Sequence, residues 1–252
     1  MILNTKKYWI IAAINLYCST ASYAETTEKN HEWHFEFAPY LWMSGIHGDI
    51  TTKGKTTDVD LSFKDIIEHF QGGFQGHLEA GYKRWSLMLD ATYLDLNDDF
   101  EKQVDEIPFK GNVKQKLDLI DAGVFYRILG SSSAALELLA GARYFESDVT
   151  IKFDHIPHKI SDDEHSTSPI VGARVTYDFT SKIHTWIRGD IGGFHVDNMN
   201  NTWSAIAGLG YTIVDHVDIG IAYRAVKINY ENDNSAINTL MRGPMIGVDF
   251  YY

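Results

Sequence analysis

Five arginines and a set of carboxylates hold most of the chemistry this 252-residue sequence could do. Arg127, Arg143, Arg174, Arg188 and Arg224 alternate with aliphatic and aromatic residues, so each falls on the other side of an extended segment from the greasy ones. Glu79, Asp90, Asp121, Glu137, Asp178, Asp190, Asp218 and Asp249 share that polar side. Such groups have two uses. Paired and hydrogen-bonded, they fill and stiffen a narrow interior, the condition under which buried charge persists. Left open to water, they line a conduit and select among ions.

Other chemistry is thinly supported. Nucleophilic catalysis needs a nucleophile beside a base; His77, His184 and His195 with Ser86 and Ser204 form no such motif, so the chain is read as a non-enzyme. His155, His158 and His165 lie near Asp162, Asp163 and Glu164 but are loosely spaced, so neither a metal site nor a cofactor is expected. Asp58 and Asp60, and then Asp98, Asp99 and Glu101, make further acidic clusters. They read as solubility, or alternatively as ligands for divalent cations that bridge lipopolysaccharide phosphates.

The elements that would position the charges are strands. About ten segments alternate with a period of two, beginning near Trp33, Phe74, Trp85, Leu117, Leu136, Val171, Ile183, Trp203, Val217 and Thr239. Each suffices for the roughly 9–11 residues that a tilted membrane-spanning strand needs. Short links near residues 83, 131, 181 and 215 alternate with longer ones at 43–72, 97–112, 153–166 and 232–238, with a modest one at 196–200. Short turns at one end and long loops at the other are the pattern of an up-and-down transmembrane barrel. Outward aromatics collect at both borders: Trp33, Tyr82, Trp85, Tyr126, Phe179, Tyr211 and Tyr252 at the short-turn end, Tyr93, Tyr144, Trp203 and Tyr223 at the other. A lipid-facing arginine near the midplane costs roughly 2–4 kcal/mol, which turns the five arginines inward. A soluble two-sheet protein would bury the aliphatic face instead, and leaves the aromatic borders unexplained.

The expectation is therefore an all-β fold, a single antiparallel barrel of about ten strands (eight to twelve possible), with a short helix in the first external loop. Phe63, Ile66, Ile67 and Phe70 follow helical spacing, Ser62 with Asp65 forms a capping box, and Gly72-Gly73 marks the end. Such a helix needs a surface; it either plugs the lumen or lies on the rim. Residues 1–24 read as a cleaved signal peptide: Lys6 and Lys7, an apolar run, and a small-x-small site at Ser22-Tyr23-Ala24. The barrel domain is 25–252. Cleavage removes the one cysteine, Cys18, and leaves 20 bases against 34 acids, with no basic patch for nucleic acid.

The last strand carries Ile246, Val248, Phe250 and Tyr252 on one face and ends on an aromatic. This pattern resembles the closing strand that the barrel assembly machinery reads in Gram-negative outer membranes. More broadly, "FEFAPYLWMSGIHGDI" (35–50), "VDLSFKDIIEHF" (59–70), "RWSLMLDATYLDL" (84–96), "GARYF" (141–145), "RGDIGGF" (188–194) and "GPMIGVDFYY" (243–252) resemble a family of uncharacterised, porin-like proteobacterial outer-membrane barrels. The resemblance spans the mature chain. It implies place and architecture, supports the first-loop helix, and implies no catalytic residue. Where those relatives have a Trp-rich third loop, this chain has a His- and acid-rich one. The function expected is structural, or that of a narrow pore for ions or small solutes. The alternative is a surface-binding, adhesion or lipopolysaccharide-interacting barrel that works through its loops. Expected partners are outer-membrane lipid, lipopolysaccharide, the assembly machinery and periplasmic chaperones, with both termini periplasmic.

Overall fold

Period-two alternation produces strands along nearly the whole chain, and short links make them antiparallel hairpins. A computed structural model describes residues 33–52, 54–104, 107–153 and 156–252. The signal peptide over 1–24 lies outside the described residues. In chain order the elements are β1 (Trp33–Trp42), β2 (Gly45–Thr52), β3 (Lys55–Leu61), α1 (Phe63–Glu68), β4 (Phe70–Tyr82) and β5 (Trp85–Val104). There follow β6 (Ile107–Gly130), β7 (Ala134–Phe153), β8 (Ile156–Asp178), β9 (Ile183–Gly192), β10 (Met199–Val214), β11 (Val217–Glu231) and β12 (Ser235–Tyr251).

All twelve belong to one sheet in the order β1-β4-β5-β6-β7-β8-β9-β10-β11-β12-β2-β3, and an added β1–β12 pairing closes it. Ten strands thus form the barrel. The β2–β3 hairpin continues the wall: β12 pairs with β1 through Trp42↔Met245, then with β2 from Gly45↔Arg242 onward. Tight turns fall where the sequence puts them. Lys83 and His216 each take a positive φ, 57° and 68°, in the turns before β5 and β11.

Two expected long loops are corrected. Residues 97–112 and 153–166 are mostly strand: β5 to β8 run 20, 24, 20 and 23 residues, about twice what a spanning strand needs. The pairing of β5 with β6 holds register from Trp85↔Tyr126 to Val104↔Ile107. The first loop holds β2 and β3 as well as the helix.

The cause of that misreading is a reversal of the two faces. On β11 the outward residues Ile219, Ile221 and Tyr223 are exposed while Arg224 is buried; further along, Val226, Ile228 and Tyr230 are buried instead. Lys227 and Asn229 now stand on the outward side. On β5, Leu87, Leu89 and Tyr93 face out, and beyond Tyr93 it is Leu94 and Leu96 that are buried. On β6, Leu117 and Leu119 are buried, and Lys114, Lys116 and Asp118 stand on the other face. Below the boundary the barrel is apolar outside and polar inside. Above it the arrangement is that of a water-soluble protein. A reading that sought apolar-out segments had to stop at the boundary.

The interior above the boundary is an apolar core. Trp42, Ile46, Ile66, Leu94, Leu96, Leu117, Leu119, Phe145, Met199, Val226, Ile228, Tyr230, Ile237, Met241 and Met245 pack into one cluster. Tyr230 is further tied across the mouth to Glu164 on β8, whose Oε2 accepts its hydroxyl at 2.6 Å.

The helix is shorter than its sequence pattern. Ser62 caps it: the Asp65 N–H donates to Ser62 Oγ at 3.3 Å and the Ser62 N–H to Asp65 Oδ2 at 2.8 Å. It ends at His69, not at Gly72-Gly73, and Phe70 is the first residue of β4. Of the four predicted contact residues only Ile66 is buried; Phe63 is half-buried, and Ile67 and Phe70 are exposed. One side chain of α1 therefore enters the apolar core, and the rest of the helix lies on the rim. The Ser62 hydroxyl, then its N–H, hold the Asp65 carboxyl below the usual carboxylate range. A depressed pKa gives stability that is full above the unfolded value and lost as pH falls through the folded one. The protection of the Asp65–His69 amides, taken against the intrinsic exchange rate at each pH, is expected to fall on acidification through that range, and to be low at every pH in Ser62→Ala.

Candidate functional site

The inward charges assemble into a layer between the apolar core and the short-turn end. Arg143 on β7 is its densest point. Its Nε and Nη2 donate to Asp121 at 2.7 and 2.8 Å, Nη2 also to Asp190 at 2.9 Å, and Nη1 to Thr202 Oγ1 at 2.8 Å. Arg224 on β11 donates through Nη1 to Asp90 at 2.8 Å and to Tyr40 Oη at 3.0 Å, and lies 5.0 Å from the Trp42 ring centroid. Arg174 on β8 grips both oxygens of Glu79 at 2.6 and 2.8 Å, donates to Glu137 at 2.7 Å, and stacks on Phe125. Arg127 donates to the other oxygen of Glu137 at 3.3 Å. Arg188 sits more loosely, with Nη2 3.5 Å from Asp121 and Nη1 3.5 Å from the Met88 sulfur. Bidentate, charge-assisted contacts of this kind are the strong ones.

These contacts cross the lumen. In the circular order β8 stands four places from β4, as does β11 from β5, so Arg174–Glu79 and Arg224–Asp90 bridge nearly opposite walls. Burial shows how tightly the layer closes. Arg143 is 0 % exposed and Arg224 1 %. A water-filled conduit passing at their level would wet their guanidinium groups.

Of the thirteen charges expected in the interior, ten form these contacts: Glu79, Asp90, Asp121, Glu137 and Asp190 with Arg127, Arg143, Arg174, Arg188 and Arg224. Asp178 is a correction. It is exposed at the end of β8, where alternation has run out into the turn at 179–182, and joins none of these pairs. Asp218 and Asp249 lie inward but nearer the short-turn end. There they line a cavity of ≈350 Å³ beneath the layer, together with Glu36, His34, His77 and His184.

The histidines and Trp186 of this vestibule were not singled out as a site by their pattern, yet a signal for them was present. Three of the inward rings lie over an inward glycine: His34 on Gly81, His184 on Gly210, Trp186 on Gly208 and Gly220. A Cβ at Gly208 would fall 2.3 Å from the Trp186 ring. Gly208→Ala is expected to cost about 1–3 kcal/mol through overpacking, read as a lower urea midpoint, and Trp186→Ala in the same chain should relieve it.

The remaining predicted residues take the following places. Ile246, Phe250 and Tyr252 are exposed on the outward face and Val248 is half-buried. His155, and the side chains of Asp98, Asp99, Glu101, His158 and Asp162, lie outside the described residues. Asp58 and Asp60 are exposed, and Asp60 Oδ1 contacts His47 Nδ1 at 2.6 Å.

One solved structure superposes well enough to share this architecture. The outer-membrane protease OmpT of Escherichia coli is 10% identical, covers 90% of this chain and 99% of its own, and superposes with a TM-score of 0.61. The likeness is one of fold. The translocator domain of the autotransporter NalP from Neisseria meningitidis (10% identity, 88% of this chain, 90% of that one, TM-score 0.47) is similar at a lower level. So is Ail, the attachment invasion locus protein of Yersinia pestis (13% identity, 88% of this chain, 99% of that one, TM-score 0.35). No known protein-family profile and no curated protein sequence matches the chain.

Proposed function

We propose that the chain is an integral outer-membrane barrel with a shut lumen, a structural scaffold that raises the sheet β5–β8 above the membrane for contact outside. The observation that supports it is the reversal of faces at the outer aromatic border. Trp85 and Tyr93 on β5, like Trp203 and Tyr211 on β10, stand eight residues apart. At about 3.3 Å per residue and a tilt near 40°, that separation gives a belt about 20 Å high. A belt of that height suits a barrel's apolar band of about 25 Å. Past Tyr93, β5 continues eleven residues to Val104, about 36 Å of strand.

The leader at 1–24 exports the chain, the assembly machinery and periplasmic chaperones deliver it, and lipid and lipopolysaccharide surround it, with both termini periplasmic. The fully buried Arg143–Asp121–Asp190 group supports a structural lumen over a pore. The protease activity named for OmpT is not carried across, because the likeness rests on fold alone.

Depth measurement tests the reading. Cys18 is the one cysteine, so single-cysteine variants of the mature chain can carry a nitroxide without interference. In lipid vesicles, labels at Leu89 and Ile221 should be relaxed by oxygen, and labels at Asp95 and Lys227 by a water-soluble nickel chelate. Equal nickel access at all four would sink it.

A further inference from the structure

The vestibule at the short-turn end is bounded on one side by the charge layer itself, and its lining carries an excess of acid. Six carboxylates line it (Glu36, Glu79, Asp90, Glu137, Asp218 and Asp249) against three guanidiniums, Arg127, Arg174 and Arg188. Glu79 and Glu137 are taken by Arg174, and Asp90 by Arg224. Glu36, Asp218 and Asp249 remain.

Asp218 and Asp249 are direct cross-strand neighbours on β11 and β12. Like charges in that position repel. Asp218 is only 6 % exposed, and its Oδ1 has no hydrogen-bond partner, while Oδ2 lies 3.5 Å from His184 Nε2. The Oδ1 of Asp249 is buried without a partner as well. Two carboxylate oxygens on one inward face, at the wall of a cavity, thus receive no hydrogen bond from the protein itself and form an acceptor set.

We propose that this vestibule binds a small organic cation, with a primary ammonium held between Asp218 and Asp249. An ammonium brings three N–H donors and one positive charge, which suits two opposed carboxylates. The cavity, at ≈350 Å³, has room for an organic body behind the head group. Its walls suit such a body: Tyr40, Trp186, Ala222 and Met245 offer apolar and aromatic surface, and an indole face attracts cations. A bare metal ion fits less well, because among the described residues no three histidines or carboxylates are placed to ligate one. Access is from the short-turn end, since the charge layer and apolar core close the other side.

The test is calorimetric titration of the mature chain, refolded in detergent, with 1,4-diaminobutane as the probe. Saturable one-to-one binding is expected, weaker by about tenfold or more in both Asp218→Asn and Asp249→Asn, the loss of a charge-assisted hydrogen bond. Asp178→Asn, exposed at the same end, should bind as the parent does. Heat-modifiable gel migration establishes that each variant has folded. No saturable heat from the parent, or heat that survives either vestibule substitution, overturns the proposal. So does magnesium chloride giving the same aspartate-dependent binding, since the site would then belong to a metal ion.

Discussion

Arg143→Ala is expected to destabilise the barrel by about 3–5 kcal/mol, the range for removing one partner of a buried ion pair. Arg143 donates to Asp121, Asp190 and Thr202 and is 0 % exposed, so its loss strands two carboxylates where water does not reach. The arginine alone is not the source of the stability. Arg143→Met combined with Asp190→Asn should recover part of the loss, because one buried charge of each sign is removed and Asp121 keeps Arg188 at 3.5 Å and Arg224 at 3.7 Å. Urea unfolding of the refolded chain in lipid vesicles measures both. If the single and double variants lose equal stability, the charges are not coupled as the distances say.

The second large effect separates the two halves of one strand face. Leu89 and Asp95 both point outward from β5, on either side of Tyr93. Leu89→Arg places a guanidinium within the apolar belt and should cost about 2–4 kcal/mol in a bilayer. Asp95→Arg lies beyond the aromatic border and should change stability by about 0.5 kcal/mol or less, as surface substitutions do. Inward-facing Leu96 on the same strand reverses the order once more: Leu96→Arg buries a charge in the apolar core and should prevent that core from packing. The pattern costly, neutral, costly is peculiar to a barrel whose faces exchange character. A uniform amphipathic barrel would tolerate Leu96→Arg.

Architecture was legible because it rests on local rules. Period-two alternation, tight turns at Lys83 and Asp215-His216, and aromatic borders fix strands and their direction without long-range information. The closing of ten strands followed from the parity of the links. Three features stayed out of view for physical reasons. The upper parts of β5, β6 and β11 keep the alternation but reverse its sense, so Leu94, Leu96, Val226 and Ile228 look misplaced to a reading that assumes lipid on one side throughout. The β2–β3 hairpin joins β12, nearly two hundred residues away, through Gly45↔Arg242, and no local signal announces such a pairing. In the site, sequence placed the arginines and acids on one face but could not say who meets whom. Arg174 and Glu79 are 95 residues apart, and Arg224 and Asp90 are 134. That Asp178 stands outside the layer, and that Asp218 and Asp249 face a cavity instead of an arginine, are facts of closure alone.

The central claim is that the charge layer and the core above it shut the lumen. Planar-bilayer recording of the refolded mature chain, its folding established by heat-modifiable migration, tests this most directly. The account predicts a silent membrane at moderate voltage, with no steady steps. Stable, ion-selective steps that change when Arg188 is replaced by glutamate would contradict it, because they would require water and ions to pass groups that the structure buries completely.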